Sequence, residues 1–580
     1  HQIGFNTNTT YRISKSLSAI LTANYTEDKS NGRSSLSDGN GNTNASLLYR
    51  GNSFDVRWMK GTAAGWGTNT DGSEMISGNN VYFNNPYWLQ YRKTNNMSRN
   101  RLTGSFTLKW DITPWLYLQG AVQRDGYNIE FRDVQPKGAA SKPAGGLTEY
   151  EKNFHETDYN FLLNFNKDFG DWSVGASFGG NKMYNETKYF YTSNGGSPFT
   201  IDGLWSVNNI PPSGQNPFKS YTRYRINSLY GTFDLGWKNQ VFLNFTGRND
   251  WFSTLSPDND SYFYPSATLS WVFTDSFRKA LPKWFDFGKL RLGYAFASNG
   301  TEAYQTLMYY KLNAYTVNGV QTATQNNNNA FPNADLKPVH ISEFEVGMNL
   351  SFFQNRLNFD MDYYNKKTTD DILPVSTSSA SGFGSAYMNV GKVRNSGFEF
   401  MVDAYPIRNQ NFTWNTTLNL ANNSSKVLTV GTGTDRITVD GGKSGIGNVT
   451  IYQVVGLPYA EIIGYTYKRN ADGQLMLKNG LPQTGEQKVL GNAVYKWTGG
   501  WHNSFTYKGF NLSMLLDFKF GAKIFSGTNY QLYAYGLQKK TLTGRTKDNP
   551  AGSITANGID ESTGKPNKVT VTSQDYFRAI

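Results

Sequence analysis

Apolar and polar residues alternate with a period of two in many short segments of this chain. In the segment 510–520, one face carries Phe510, Leu512, Met514, Leu516, Phe518 and Phe520, and the other carries Asn511, Ser513, Leu515, Asp517 and Lys519. The pattern recurs at about residues 102–110, 290–296, 344–352, 357–363 and 412–420. Such alternation predicts β-strands with one apolar face. A two-sheet sandwich alternates as well, so alternation alone leaves sandwich and barrel open.

Short and long connections alternate between the predicted strands. Tight turns are predicted at residues 15–16, 111–115, 168–172, 237–241, 353–357, 406–412 and 507–510, with a longer turn at 274–288. Long polar loops are predicted at about residues 27–98, 125–150, 189–222, 249–262, 299–340, 370–395, 424–493 and 525–580. Short turns on one side and long extracellular loops on the other are typical of an outer-membrane barrel. The fold class is therefore predicted to be all-β, a transmembrane antiparallel β-barrel of about sixteen strands that forms one domain over residues 1–580.

Composition agrees with a barrel and disfavours other classes. Aromatic residues make up 15% of the chain, yet its mean hydropathy is −0.56. A barrel with aromatic girdles and a wet interior reconciles these values. The chain contains no stretch of about eighteen apolar residues, so no transmembrane helix is predicted. The net charge of +12 is spread along the chain rather than gathered in one stripe, so no nucleic-acid partner is expected.

Several motifs, in order along the chain, resemble those of one transporter family. They are Asn85–Trp88 (NPYW), Arg248–Trp251 (RNDW), Tyr262–Phe273 (YFYPSATLSWVF), Lys289–Gly300 (KLRLGYAFASNG), Asn389–Phe400 (NVGKVRNSGFEF) and Val455–Tyr467 (VGLPYAEIIGYTY). In these residues the chain resembles the SusC/RagA family of TonB-dependent transporters, known from the outer membrane of Gram-negative Bacteroidota. The run 389–400 is the most family-specific of them.

The resemblance implies a barrel of about 22 strands, closed by an N-terminal plug, energised by TonB and covered by a SusD-like lipoprotein lid. This chain begins in a strand pattern at His1 and stops at residues 576–580, so the plug domain, the TonB box and about six strands are expected to be absent from it. The implied partners are the SusD-like lipoprotein, TonB through the missing N-terminal part, outer-membrane lipid, and an oligosaccharide or peptide substrate.

Motifs for catalysis and metal binding are sparse, and no enzyme is predicted. The four histidines, His1, His155, His340 and His502, lack the spacing of metal ligands. His155 has Glu156 and Asp158 nearby, but a polar strand that enters a loop is the better interpretation. No catalytic residue, structural metal or cofactor is predicted. A loop calcium site at Asp71, Asp258 or Asp260 stays open without the spacing of a known motif.

Aromatic residues in the predicted loops are the better candidates for contact with a ligand or with the lid. The candidates are Trp66, Tyr82, Tyr87 and Trp88 in the first long loop, together with Tyr309 and Tyr387 further along. Rings beside amide side chains suit sugar faces and peptide backbones. The same rings could instead pack the loops onto themselves, and the sequence leaves both alternatives open.

Two functions are consistent with the sequence. The first is TonB-dependent import of a bulky nutrient across the outer membrane, in which the barrel wall and loops bind an oligosaccharide or a peptide. The second is a SusC-like barrel kept as a structural scaffold in an outer-membrane complex. A passive porin is disfavoured because porin loops are normally shorter.

Overall fold

Antiparallel strands dominate the computed structural model, which describes residues 1–580 except 37–39, 52–53, 63–64, 77–82, 326–329, 432, 441–448 and 580. The strands are β1 (Gln2–Arg12), β2 (Leu17–Asn31), β3 (Gly61–Thr62), β4 (Gly65–Trp66), β5 (Thr94–Thr113), β6 (Leu116–Gln135), β7 (Gly146–Phe169), β8 (Trp172–Ser193), β9 (Phe218–Trp237), β10 (Val241–Phe252), β11 (Ser261–Trp271), β12 (Phe285–Asn299), β13 (Tyr310–Val317), β14 (Val320–Gln325), β15 (Ala330–Phe331), β16 (Val339–Phe352), β17 (Leu357–Ser376), β18 (Ser385–Arg408), β19 (Phe412–Thr429), β20 (Arg436–Asp440), β21 (Val449–Val454), β22 (Glu461–Tyr467), β23 (Met476–Lys478), β24 (Leu481–Pro482), β25 (Thr484–Asn492), β26 (Trp497–Tyr507), β27 (Phe510–Phe520), β28 (Ile554–Thr555), β29 (Ile559–Asp560) and β30 (Thr570–Val571).

Helices are short and lie in the connections. The α-helices are α1 (Thr43–Leu48), α2 (Pro86–Tyr91), α3 (Phe273–Phe277), α4 (Gly527–Ala534) and α5 (Ser573–Arg578). The 3-10 turns are Val56–Met59, Val207–Asn209, Pro212–Gly214, Ser379–Ser381 and Lys539–Leu542. Within the described ranges, none of the helices has both the length and the apolar character needed to span a bilayer.

Seventeen strands form the main sheet of the described residues. Sixteen of them are long and pair antiparallel with their neighbours in chain order: β1, β2, β5 to β12, β16 to β19, β26 and β27. The seventeenth, β15, adds a short parallel bridge to β18. The all-β class and the antiparallel arrangement predicted from the sequence are confirmed. In this sheet β1 pairs only with β2 and β27 only with β26, so these two strands form its edges.

The connections alternate in length as the turn motifs predicted. At one end of the sheet, residues 114–115, 170–171 and 508–509 each join two long strands. At the β9–β10 hairpin, Lys238 and Asn239 both have positive φ, at 51° and 55°, which suits the right-handed twist of paired strands. At the other end the connections are residues 32–93, 136–145, 194–217, 253–260, 300–338, 377–384 and 430–496, and residues 521–580 follow β27.

Several strands extend further than the sequence predicted. β6 continues to Gln135 and β7 begins at Gly146, inside the predicted loop 125–150. β17 and β18 similarly extend into the predicted loop 370–395. Near these ends both faces of a strand carry polar residues, so the alternation disappears although the backbone ladder continues. The loops at these two places are therefore shorter than the hydropathy pattern indicated.

The strand register places the alternating apolar residues on one face of the sheet, which we call the apolar face. Trp110 pairs with Leu118, Leu118 with Leu163, and Leu163 with Phe178, across four successive strands. Phe178 is 53% exposed, although it is a large apolar side chain. Among the described residues, large apolar side chains of this face are therefore exposed rather than covered by a protein core.

The opposite side of the sheet, the polar face, is concave. Three cavities of about 660, 590 and 360 Å³ are lined mainly by its side chains. The first is lined by Asn24, Thr103, Gln123 and Asp125 among others. The third includes Asn160 and Leu162. A curved wall with water-compatible cavities on the inside and apolar side chains on the outside is the arrangement of a membrane barrel.

Candidate functional site

Charged side chains on the polar face are held by ion pairs that cross strands. Arg291 of β12 lies 2.7 Å from carboxylate oxygens of both Asp360 and Asp362 on β17. It also donates a hydrogen bond to Asn349 of β16. Because these groups are only partly buried, water screens them, and their main effect is to fix the positions of the side chains.

Further hydrogen-bonded groups continue along the same face. Arg248 of β10 contacts Asp250 at 2.8 Å and donates to the Ser228 hydroxyl at 2.7 Å. The amide of Asn181 donates to Asp158 at 3.1 Å and to Asn160 at 2.7 Å. These groups form a wall of ordered donors and acceptors that can bind a polar solute.

Five rings on three neighbouring strands form an aromatic cluster on the polar face, near the ends that carry the long loops. We call Tyr127, Phe131, Tyr150, Phe154 and Tyr189 the inner aromatic cluster. Tyr127 stacks on Phe154 with 4.8 Å between ring centroids, and Phe131 stacks on Tyr150 at 4.6 Å. Tyr150 and Tyr189 are 5.6 Å apart. The rings therefore extend continuously from β6 to β8.

Two cations accompany this cluster. The Arg99 guanidinium lies 5.0 Å from the Tyr127 ring, and the Lys152 ammonium lies 5.7 Å from the same ring. Such cation–π contacts fix the rings and leave positive charge beside them. Rings with adjacent hydrogen-bond donors can stack on sugar rings or peptide planes.

The inner aromatic cluster was not predicted from the sequence, although a signal for it existed. Tyr127 and Phe131 are four residues apart, and so are Tyr150 and Phe154. That even spacing places each pair on one face of its strand. The pairing of Phe131 with Tyr150 needed the register of β6 against β7, which the sequence did not supply.

The first long connection, residues 32–93, has its own buried polar centre at Glu74. The Glu74 carboxylate accepts hydrogen bonds from the Asn84 amide at 2.9 Å, from the Ala140 backbone N–H at 2.8 Å and from the Asn85 backbone N–H. Burial raises the pKa of Glu74, against the effect of these donors. Because Ala140 belongs to the next connection, Glu74 fastens two loops together.

The NPYW motif forms the start of α2 within this connection. The Asn85 side-chain oxygen accepts the Tyr87 backbone N–H at 2.9 Å, which caps the helix. Its amide group donates to the carbonyls of Met59 at 2.8 Å and Met75 at 2.9 Å. Asn85 is fully buried, so this motif is a structural element of the loop.

The predicted ligand-contact residues of the first connection lie in different environments. Trp66 is half-buried and stacks with Tyr91 at 5.0 Å and with Tyr87 at 6.0 Å. The Lys60 ammonium lies 4.4 Å from the Trp66 ring. Trp88, by contrast, is fully buried, so its ring packs inside the loop. Tyr82 lies outside the described residues.

The other predicted aromatic residues are elsewhere. Tyr387 packs against a buried apolar cluster of Phe252, Leu255 and Leu336, where residues 253–260 and 300–338 meet the strands. Tyr309 is exposed in the connection 300–338. The structure therefore brings Trp66 and Tyr87 together, buries Trp88 inside the same connection, and does not place Tyr309 or Tyr387 with them.

The residues considered for metal binding or acid–base chemistry do not converge. Asp71 accepts hydrogen bonds from the Ser73 backbone N–H at 2.9 Å and from its hydroxyl at 2.6 Å. In the part of the chain that the structure describes, no three His, Cys, Asp or Glu side chains are grouped so that they could hold a metal ion. His155 lies on the apolar side of β7, whereas Glu156 and Asp158 point to the polar side, so they share no site.

Curated relatives of the chain are TonB-dependent receptors. TonB-dependent receptor P3 of Formosa agariphila is 25% identical over 500 residues, which cover 80% of this chain and 49% of that protein. TonB-dependent receptor SusC of Bacteroides thetaiotaomicron is 26% identical over 347 residues, covering 58% of this chain and 33% of SusC. The chain thus spans about half or less of the length of the relatives it matches.

Solved structures agree on the fold. The RagAB peptide importer in its closed-closed state matches with a TM-score of 0.73 at 16% identity, over 99% of this chain and 63% of the other. The predicted resemblance to SusC/RagA transporters is thus confirmed. The family described as TonB dependent receptor-like, beta-barrel, has a sequence model that matches residues 30–536, and the chain belongs to this family of outer-membrane barrels.

Proposed function

We propose that the protein imports a bulky nutrient, an oligosaccharide or a peptide, across the outer membrane in a TonB-dependent manner and beneath a SusD-like lid lipoprotein. The observation that carries this proposal is the inner aromatic cluster beside a hydrogen-bonding wall, at the end of the sheet that has the long connections. Family membership supports the dependence on TonB. The names of its neighbours, SusC and RagAB peptide importer, support nutrient uptake.

The geometry suits a neutral, polar oligomer. Rings at centroid distances of 4.6 to 5.6 Å form a continuous surface on which successive sugar rings or peptide groups can stack. The polar side chains around cavities of several hundred Å³ offer hydrogen bonds without enclosing the solute. The wall positions the substrate, and the proposed transport breaks no covalent bond in the substrate.

The first connection would form part of the mouth. The Glu74 contacts tie residues 32–93 to residues 136–145, and Tyr49 packs edge-on against Tyr535 with 5.1 Å between centroids. The first connection therefore contacts both the next connection and the segment that follows β27, and a lid could rest on these three segments. In the stack of Trp66, Tyr87 and Tyr91, the Tyr91 ring is exposed and the other two rings are half-buried.

The test of the function replaces two rings of the inner aromatic cluster. In cells that depend on the full-length protein, we expect Tyr150→Ala/Tyr189→Ala to lower uptake of the cognate oligomer about tenfold, because two stacking surfaces are lost. Tyr159→Ala is the matched control, because Tyr159 lies on β7 as well but is 52% exposed on the apolar face. Uptake of labelled peptide and oligosaccharide mixtures identifies the substrate class.

Surface abundance and heat-modifiable gel migration check that each variant folds. Parental uptake by the Tyr150/Tyr189 double variant would show that these rings do not line the import path. The scaffold alternative predicts that deleting the protein leaves uptake of both substrate classes unchanged while its outer-membrane complex dissociates. Replacing Trp66 by Ala tests the loop stack, and unchanged uptake would remove that stack from the proposal.

A further inference from the structure

Three cations lie side by side on the apolar side of the sheet, near the end that carries the long connections. Lys367 of β17 pairs in register with Arg394 of β18, which pairs with Lys426 of β19. We call these residues the cationic row. Arg394 and Lys426 are exposed and Lys367 is half-buried. The row is flanked on β16 by Ser342, which pairs with Lys367.

The cationic row has no compensating acid in the part of the chain that the structure describes. None of its three residues forms an ion pair there, whereas the neighbouring Lys366, on the polar face, lies 3.8 Å from Glu343. Like charges directly opposite each other on paired strands destabilise a sheet. An anion from outside the chain would offset this repulsion.

A second group of exposed cations shows the contrast. On β6, β8 and β9 the same face carries Arg124, Lys182, Lys188, Arg223 and Arg225. Within that group Glu186 lies 2.8 Å from the Lys188 ammonium and accepts a hydrogen bond from the Tyr221 hydroxyl at 2.7 Å. That group is partly neutralised from within, and the cationic row is not.

The position of the cationic row along its strands indicates its depth relative to the membrane. Two pairing steps below it, the same face carries Tyr363, Phe398 and Asn422, and Phe398 is 62% exposed. An exposed aromatic side chain such as Phe398 is typical of the girdle at the boundary between hydrocarbon and headgroups. Arg394 is four residues from Phe398, which is about 13 Å along a strand. The cations therefore lie at headgroup depth, just beyond the hydrocarbon.

We propose that the cationic row binds the phosphate groups of a phosphorylated glycolipid in the outer leaflet. Arg394 would hold a phosphate through two N–H donors, with Lys367 and Lys426 as flanking charges. The acyl chains would lie on the apolar face below, beside Tyr363 and Phe398. Only an amphiphile meets both surfaces, because the cations and the apolar belt share one face. The orientation, with long connections outside, is that of the proposed function.

The experiment measures lipid binding by the full-length protein in a neutral detergent. The probes are bis-phosphorylated lipid A and the same lipid after enzymatic removal of both phosphates, and native mass spectrometry counts the bound molecules. We expect the parental protein to prefer the phosphorylated lipid, and Lys367→Gln/Arg394→Gln/Lys426→Gln to bind it at least about tenfold more weakly.

A matched control removes the same charge at the opposite rim. Lys15→Gln/Lys279→Gln/Lys283→Gln changes three exposed lysines of the short connections and is expected to bind lipid A as the parental protein does. Equal loss in this control would show a general charge effect and would overturn the proposal. Equal binding of both lipids by the parental protein, or undiminished binding by the cationic-row variant, would overturn it as well.

Two further measurements keep the outcome interpretable. The single variant Arg394→Gln, which removes one charge, is expected to weaken binding of phosphorylated lipid A by a smaller factor and serves if the triple variant fails to fold. Inorganic phosphate at equal phosphate concentration should not displace the lipid. Full displacement by inorganic phosphate would show a simple anion site and would contradict a lipid ligand.

Discussion

The first long connection and the sheet bury their residues by opposite rules. In residues 32–93, Trp88 is completely buried and Met59 is 1% exposed, so large apolar side chains lie inside. In the sheet, Phe178 on the apolar face is 53% exposed, while Ser228 on the polar face is buried. The first connection buries apolar side chains as a small soluble domain does, whereas the sheet exposes apolar side chains and buries polar ones.

The difference follows from the solvent on each side. Water surrounds a loop, so its apolar side chains gain free energy by leaving the surface. Hydrocarbon surrounds the outer wall of a membrane barrel, so the same side chains cost nothing there, and the polar groups must face the interior. Residue type therefore indicates burial only after the solvent of each face is known.

The largest expected effect is the loss of Trp88. Because its ring fills the centre of the first connection, Trp88→Ala should favour local opening of residues 32–93 by about 3–5 kcal/mol. Native-state amide hydrogen exchange of these residues measures the change. Trp58, which is 67% exposed, provides the control, and Trp58→Ala should leave the exchange rates nearly unchanged. Equal effects of the two variants would contradict a soluble-like core in the loop.

An arginine placed on either the apolar or the polar face of β7 tests which face of the sheet meets hydrocarbon. Leu163 lies on the apolar face between Leu118 and Phe178, and Leu163→Arg should cost about 2–4 kcal/mol of unfolding free energy in a bilayer. Its neighbour Leu162 lines a cavity on the polar face, so Leu162→Arg should cost much less. Reversible unfolding in lipid vesicles compares the two. A larger cost at Leu162 would reverse the assignment of the faces.

The buried carboxyl of Glu74 should make the opening of the first connection depend on pH. Burial raises the pKa of Glu74 above its ordinary value of 4.5, so the folded loop binds the proton more tightly than the open loop. The stabilisation of the folded loop by protonation of Glu74 is therefore fully present below pH 4.5, and it is lost as the pH rises through the raised pKa. Exchange rates of residues 32–93, corrected for intrinsic chemistry, should show opening that increases over that range.

Glu74→Gln sharpens this test. It removes the titration, so the pH dependence of opening should disappear. The amide N–H₂ would then face the backbone N–H of either Asn85 or Ala140, and this mismatch should cost about 1–3 kcal/mol at every pH. A variant that keeps the parental pH dependence would show that another group titrates.

The sequence determined much of the wall. Alternation in segments such as 510–520, and turns such as 168–172, were sufficient to predict antiparallel hairpins with one apolar face. NPYW also stood out as a motif, although its role as a helix cap held by Asn85 became visible only in the structure. These features are local, because the side-chain period of a strand and the geometry of a turn depend on a few adjacent residues.

Tertiary structure alone decided which residues meet across strands and loops. The stacking of Phe131 on Tyr150, the row of Lys367, Arg394 and Lys426, and the burial of Trp88 all join positions whose contact depends on register or on loop packing. Register is set by pairing between distant segments, and a shift of one residue would move every side chain to the other face. The sequence therefore determined the chemistry of each strand, and the fold determined where these chemistries meet.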